Sequence, residues 1–534
     1  MPQYDILEEA RLSIQHELDT AKDNKDKDER NRLGQFATPT NLAMQILQYA
    51  RTLIPPNDAI NFLDPAFGTG SFYSALLRVF PHDQIRSALG YEIDPLYAEQ
   101  ARALWADTLL DLRLEDFTRA IPPTASDQKA NLLICNPPYV RHHHLSPEYK
   151  AHLKRQAMRA ARTTLNGLTG LYCYFLTISH LWLAPDAIAG WLIPSEFMDV
   201  NYGRQVKDYL LSQVSLLRIH RFDPHDAQFD DAIVSSAVVW FKNAKPSPTH
   251  TVQFTFGGSL THPQRATTIR TDLLSATHKW TSITTAKASA PSVPSIRLSN
   301  LFDIKRGLAT GANEFFILPP QKVFDWQLPR EFLVPILPSP RYLTSDRIEA
   351  DPTGDPIVDR RLYLLTCSLT ERQVREQHPT LWHYLEHGRR LNLHQRYLCH
   401  NRSPWYLQEN RPASPFLCTY MGRGSGPSAT PFRVILNRSR ATATNVYLML
   451  YPKAPLQQIL QRNTSALDQL WTLLNDIPTH MLTGEGRVYG GGLHKIEPKE
   501  LGNVPADAIA TWLEQSPDPL ILHDRERMVQ LTLF

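Results

Sequence analysis

Asn136-Pro137-Pro138-Tyr139 is the stretch whose side chains are best fitted to a reaction. It sets an amide, two carbonyls and an aromatic ring on a turn that its prolines keep stiff. Those groups suit a planar substrate bearing an NH2 group. The Asn136 side-chain oxygen and the Pro137 carbonyl can each accept one amino hydrogen, while the Tyr139 ring lies against the plane. A plain strand-to-turn junction, with Asn136 bonding local backbone, would use the same residues. The chemistry upstream favours the first reading. An apolar run ends at Asp64, and the turn after it carries Gly68 and Gly70, whose missing Cβ atoms let backbone approach a ligand. That turn lacks the Lys-Ser/Thr of a phosphate loop and departs from G-x-G-x-x-G spacing. Further on, ALGYEID ends in Glu92 and Asp94, and LRLEDF ends in Asp116 and Phe117. Glu92, with Asp94 as rival, is placed to bond ribose hydroxyls. Asp116 could accept from an adenine amino group with Phe117 against the ring. Each acid alone could be a helix cap or turn residue; three in this order are hard to obtain by accident.

The elements that must position these residues are short apolar strands alternating with helices. Ile60–Asp64, Ala88–Asp94, Leu112–Phe117 and Asn131–Cys135 read as strands, each interrupted by a helical or turn pattern. A βαβα order predicts a doubly wound parallel sheet, which binds ligands beyond the carboxyl ends of its strands. Thr38-Pro39 reads as a helix start, with Thr38 able to hold a carboxylate at a helix N-terminus. Leu216–Phe222 and Ile233–Phe241 read as a closing antiparallel pair. Phe229, in the polar loop between them, is a candidate second wall for a flat base opposite Tyr139, with Phe222 as the alternative.

A chain of 534 residues exceeds one ordinary core, so two or three domains are expected. With 42% hydrophobic and 20% charged residues the composition is that of a globular protein. The absence of a long apolar run or signal-peptide core predicts no membrane partner and a cytoplasmic location. Five scattered cysteines without C-x-x-C pairing predict a reducing compartment and no zinc site. His142-His143-His144 cannot converge on one ion from regular structure and reads as a loop cluster. The first 245 residues are acidic on balance and the rest basic, which suits a small-molecule domain joined to a polyanion-binding one. The expected organisation is a catalytic domain over residues 1–245, whose first 31 form a helix running into a solvated arm. A Pro/Ser/Thr-rich connector over 246–295 and an irregular α+β domain over 296–534 follow. In the last, residues 420–440 and 483–499 mix Arg and Lys with glycines, as a nucleic-acid surface would.

Taken in order, GQFATPT, LDPAFGTGSF, YEIDP, LEDF, NPPY and FDDAIVSSAVVWF resemble the DNA N6-adenine methyltransferases of restriction–modification systems, in the gamma arrangement. The resemblance covers roughly residues 30–245. GRVYGGGLHKIEPKELGNVP looks like the family's closing segment. It implies a Rossmann-like methyltransferase sheet followed by a target-recognition domain, S-adenosylmethionine as cofactor, double-stranded DNA as partner, and a possible separate cognate restriction endonuclease. It also implies roles: Thr38 as lid contact, Asp64, Ala66, Gly68 and Gly70 on the first cofactor loop, Glu92 on the ribose, and Asp116 and Phe117 on the adenine. Asn136, Pro137 and Tyr139 would form the catalytic turn, with Tyr139 and Phe229 stacking on the target base. Rival functions are RNA adenine methylation, glutamine N5 methylation of a release factor, cytosine N4 methylation and a non-catalytic DNA-binding role. The 290-residue basic C-terminal part and the GQFATPT element argue against the glutamine enzyme, and the intact NPPY turn against the non-catalytic one.

Overall fold

The computed structural model describes residues 2–23, 37–223, 235–276, 279–284, 296–424, 430–463, 465–489 and 492–515. The chain divides into two compact units, the first holding Met1–Ala288 and the second holding Ser289–Val488 and Gly492–Phe534, with Tyr489–Gly491 grouped with the first.

Among the described residues the first unit is built on nine strands: β1 (Ile60–Asp64), β2 (Ile85–Glu92), β3 (Leu110–Leu114), β4 (Ala130–Cys135), β5 (Leu183–Pro194), β6 (Ser215–Arg221), β7 (Ser236–Lys242), β8 (Thr251–Gly258) and β9 (Pro263–Arg270). Their order in the sheet is β3-β2-β1-β4-β5-β7-β6-β8-β9. The five strands from β3 to β5 run parallel, and β7 is antiparallel to both β5 and β6. The doubly wound sheet with an antiparallel closing pair is therefore the observed architecture. Alternate residues of the central strands feed two cores, one on each face: Phe62, Leu132 and Ile134 enter one, and Leu63, Leu133 and Cys135 the other. Burial on both faces is why these strands read as unbroken apolar runs.

Two expectations need correction. Residues 251–270 are not connector: β8 lies parallel to β6, and β9 pairs antiparallel with β8 at the sheet edge. The first residues are more than an arm, because helix α1 (Pro2–Asp23) buries Glu8, Arg11, Gln15 and Leu18.

The second unit holds a five-stranded sheet in the order Phe302–Arg306, Tyr447–Pro452, Phe416–Thr419, Val434–Asn437, Arg347–Ile348. Phe302, Phe416, Leu436, Leu448 and Leu450 pack there against Leu470, Leu474 and Ile509. A smaller sheet pairs Met421–Arg423 with Leu493–Lys495, joining the two glycine-bearing basic segments.

Candidate active site

The sheet order reverses between β1 and β4, and the crevice at such a reversal is where doubly wound sheets bind ligands. Asp64 ends β1, Glu92 ends β2 and Asn136 follows β4. All three line one cavity of about 540 Å³, together with Thr38, Ala66, Gly68, Asp116 and Phe117.

The turn after β1 is fixed by its own backbone. Phe67 N donates to Tyr91 O at 2.8 Å, and Trp105 Nε1 donates to Thr69 O at 3.0 Å. Gly68 and Gly70 have φ of 57° and 90°, in the left-handed region that favours glycine. A Cβ on Gly70 would stand 2.8 Å from the Phe67 ring and from Trp105 Nε1. Gly70 therefore shapes the turn from behind and is not among the cavity's lining residues.

Glu92 threads this turn to β2. Its Oε2 accepts from Gly68 N at 2.8 Å, and its Oε1 accepts from Ile93 N at 2.9 Å and Asp94 N at 2.8 Å. The rival acid, Asp94, caps the next helix, accepting from Leu96 N at 3.0 Å. Asp64 is 1% exposed and accepts from Ala66 N at 3.1 Å. Burial, followed by the negative charge of Glu92, pushes its carboxyl up to about 8 despite the Ala66 hydrogen bond. Burial also raises Glu92, against the pull of its backbone N–H bonds. Among the described residues neither acid forms an ion pair.

Asp116 is already engaged at the far wall. Thr118 N and Oγ1 donate to its Oδ1 at 2.9 and 2.7 Å, and the Tyr149 hydroxyl donates to its Oδ2 at 3.0 Å. Phe117 is buried, with its ring among Tyr91, Phe175 and Trp182 at centroid distances of 5.2–5.6 Å.

At the opposite wall the Asn136 amide donates from Nδ2 to Thr38 Oγ1 at 3.1 Å. The helix that follows starts at Thr40, with Pro39 at its cap. So the Thr38 hydroxyl does not cap it but accepts from the Asn136 amide. Pro137 and Tyr139 are not among the cavity's lining residues. The Tyr139 hydroxyl donates backwards to Leu192 O at 3.1 Å, and its ring meets Tyr172 edge-on at 6.4 Å. Phe229 lies outside the described residues. Phe222 is buried in the core against His220, with ring centroids 4.7 Å apart. No group of three or more His, Cys, Asp or Glu among the described residues could hold a metal. No helix among them is long and apolar enough to cross a membrane.

The cavity also has walls that sequence reasoning missed: Gln15 and Asp19 from α1, Tyr97 from the helix after β2, and Tyr149 and Phe175 from later helices. The spacing of Glu8, Arg11, Gln15 and Asp19 marks one helical face, but a solvated stripe has the same spacing.

A family model described as "Eco57I restriction-modification methylase" matches residues 86–229, across Glu92, Asp116 and Asn136. A second, "Type II methyltransferase M.Eco57I, C-terminal domain", matches residues 276–522. The Type II methyltransferase M.XamI of Xanthomonas campestris pv. amaranthicola is 28% identical over 484 residues, 88% of this chain and 84% of that one. M.AccI of Acinetobacter calcoaceticus is 26% identical over 491 residues, 88% of this chain and 85% of that one. In fold, the chain is similar to the protein of a DrdV–DNA complex solved by cryo-EM, with a TM-score of 0.53 at 13% identity. The match takes in 89% of this chain but spans only 56% of that enzyme. With one methylase model across Glu92, Asp116 and Asn136 and its C-terminal companion over most of the second unit, the chain belongs to the methyltransferases of restriction–modification systems.

Proposed function

We propose that the protein methylates adenine at N6 in double-stranded DNA, using S-adenosylmethionine, and so protects DNA from a cognate restriction enzyme. The observation that carries this reading is the Thr38–Asn136 hydrogen bond at the wall of the cavity that Asp64 and Glu92 also line.

The donor set fits that cofactor. Asp64 and Glu92 are buried carboxylates without a cation, suited to a ligand that brings an ammonium group and a ribose diol. Gly68 leaves open space where a Cβ would stand, so ligand can lie along its backbone. When bound, S-adenosylmethionine supplies an electrophilic sulfonium methyl. Thr38 and Ala66 would border its methionine part, with Asp116 and Phe117 at the adenine end.

The chain's own residues then do three things. Thr38 accepts one N–H of the Asn136 amide, which orients its side-chain oxygen. That oxygen and the Pro137 carbonyl accept the two amino hydrogens of an adenine turned out of the duplex. Positive charge growing on N6 is thereby stabilised and its lone pair is aimed at the methyl carbon. The N–C bond forms as the S–C bond breaks, a proton leaves N6, and S-adenosylhomocysteine remains. Tyr139 faces the base, its hydroxyl tied to Leu192 O, and Phe229 takes the other side; such stacking is worth about 1–3 kcal/mol per base. Residues 296–534 select the target sequence.

Incubation with methyl-labelled cofactor and DNA, RNA or a release factor tests the reading. Label is expected in DNA alone, released on digestion as N6-methyladenine. Label in N4-methylcytosine, in RNA or in protein would replace this proposal with one of its rivals.

A further inference from the structure

Arg11, on the first helix, is 1% exposed, and all five of its N–H donors are used inside the protein. Nε and Nη2 form a fork on Glu8 at 2.7 Å each. Nη1 donates to Thr69 Oγ1 at 3.2 Å and Ser71 Oγ at 2.9 Å, and Nη2 also donates to Thr40 Oγ1 at 3.1 Å. The Thr40 hydroxyl closes back on Glu8. The Thr69 hydroxyl passes on to Gln15 Oε1 at 2.9 Å.

The three hydroxyls lie on two separate pieces of backbone, 58 and 29 residues from Arg11. Thr69 and Ser71 flank Gly70 on the turn after β1, and both line the cavity. Thr40 is two residues from Thr38, which holds Asn136. One buried guanidinium thus ties the glycine turn to the segment that orients the catalytic amide.

We propose that Arg11 is a positioning residue for the cofactor: it sets the distance between the Gly68–Ser71 turn and the Thr38–Thr40 segment. With no donor left over, it does not touch ligand itself. The pair with Glu8 keeps that carboxyl charged beside the guanidinium: burial would raise it, but the Arg11, Ser74 and Thr40 hydrogen bonds hold it down at about 2.

The inference rests on the cofactor reading above. Wild-type protein that binds no S-adenosylmethionine by calorimetry would sink that reading; the variants test this one. Arg11→Met keeps an unbranched apolar stem and removes the guanidinium fork. Its Kd and KM for S-adenosylmethionine should rise about tenfold, while kcat at saturating cofactor and DNA stays within roughly threefold. Arg11→Lys restores the charge beside Glu8 but cannot span the hydroxyls, so its Tm should recover more than its Kd. If Arg11→Met cannot be purified folded, Glu8→Gln, which removes the anchor at equal size, carries the same expectation. Folded Arg11→Met, or Glu8→Gln in its place, that melts lower but binds the cofactor within about twofold of wild type would make Arg11 a structural residue only and overturn the proposal.

Discussion

Both units bury carboxylates, but in different company. In the first, Asp64 and Glu92 sit at the strand ends with backbone N–H groups as partners and no cation among the described residues. In the second, Asp355 is 3% exposed between Arg330 Nη2 at 2.5 Å and Arg440 Nη2 at 2.8 Å. Asp468 takes Arg438 at 2.5 Å and Arg347 at 3.6 Å, and Asp346 takes Arg433 at 2.6 Å. The outcome differs in sign. Burial wins at Asp64 and Glu92, whose carboxyls are raised, whereas at Asp355 the guanidiniums overcome burial and lower it. Asp355, with its cations built in, needs no ligand to balance it. A buried acid without a cation costs stability, and the first unit keeps two of them where a charged ligand would sit.

The sharpest break of that contrast comes at the turn after β4. Asn136→Ala is expected to lower kcat by about 10²–10³, the usual cost of losing one group aimed at developing charge, while cofactor Kd stays within roughly threefold. Initial rates and calorimetry on the same preparation check both halves. Asp64→Asn comes next. It should weaken S-adenosylmethionine by about tenfold, near 1.4 kcal/mol. It should also erase a pH dependence. The folded carboxyl keeps its proton up to about pH 8, against 3.8 for the unfolded group. The native state therefore holds the extra proton across that window, and the ligand-free protein loses stability as pH rises through it. Melting curves between pH 5 and pH 9 should show that decline in wild type and a flatter course in Asp64→Asn.

The strand-end acids were legible because parallel strands buried on both faces write themselves as apolar runs, and each run stops at a residue that lines the cavity: Asp64, Glu92 and, after Cys135, Asn136. β8 and β9 were not, since β9 is an edge strand whose residues are mostly exposed; Gln264, Arg265, Thr267 and Thr268 carry no apolar alternation. The role of α1 was hidden for the opposite reason. Its polar face is buried, and periodicity shows that a stripe exists but not which medium it meets. Thr38 was singled out for its place at a helix start, yet its hydroxyl accepts from Asn136, 98 residues away, a contact only tertiary structure creates. Within the basic stretch 420–440, Arg433, Arg438 and Arg440 turn to acids of the second unit that lie far off in sequence, pairings that spacing alone does not show.

In that unit the expected effects are on stability and are smaller. Asp355→Asn should cost about 1–2 kcal/mol, below the full price of a broken buried pair because both guanidiniums remain about half exposed and screened. Urea melts of wild type and variant would read this, and cofactor Kd should not move. Arg438→Ala should cost least, under about 1 kcal/mol, since its partners Asp468 and Glu349 are 33% and 58% exposed and salt screens them. The difference from wild type should shrink further in 1 M salt. This variant also puts the contrast between the units at risk. If Arg438 is spent on its own acids, its removal should leave the salt slope of DNA binding unchanged. A slope reduced by about one would instead mean that the guanidinium meets a phosphate. The second unit's ion pairs would then be partners held ready for exchange, as the lone acids of the first unit are under the proposed cofactor reading.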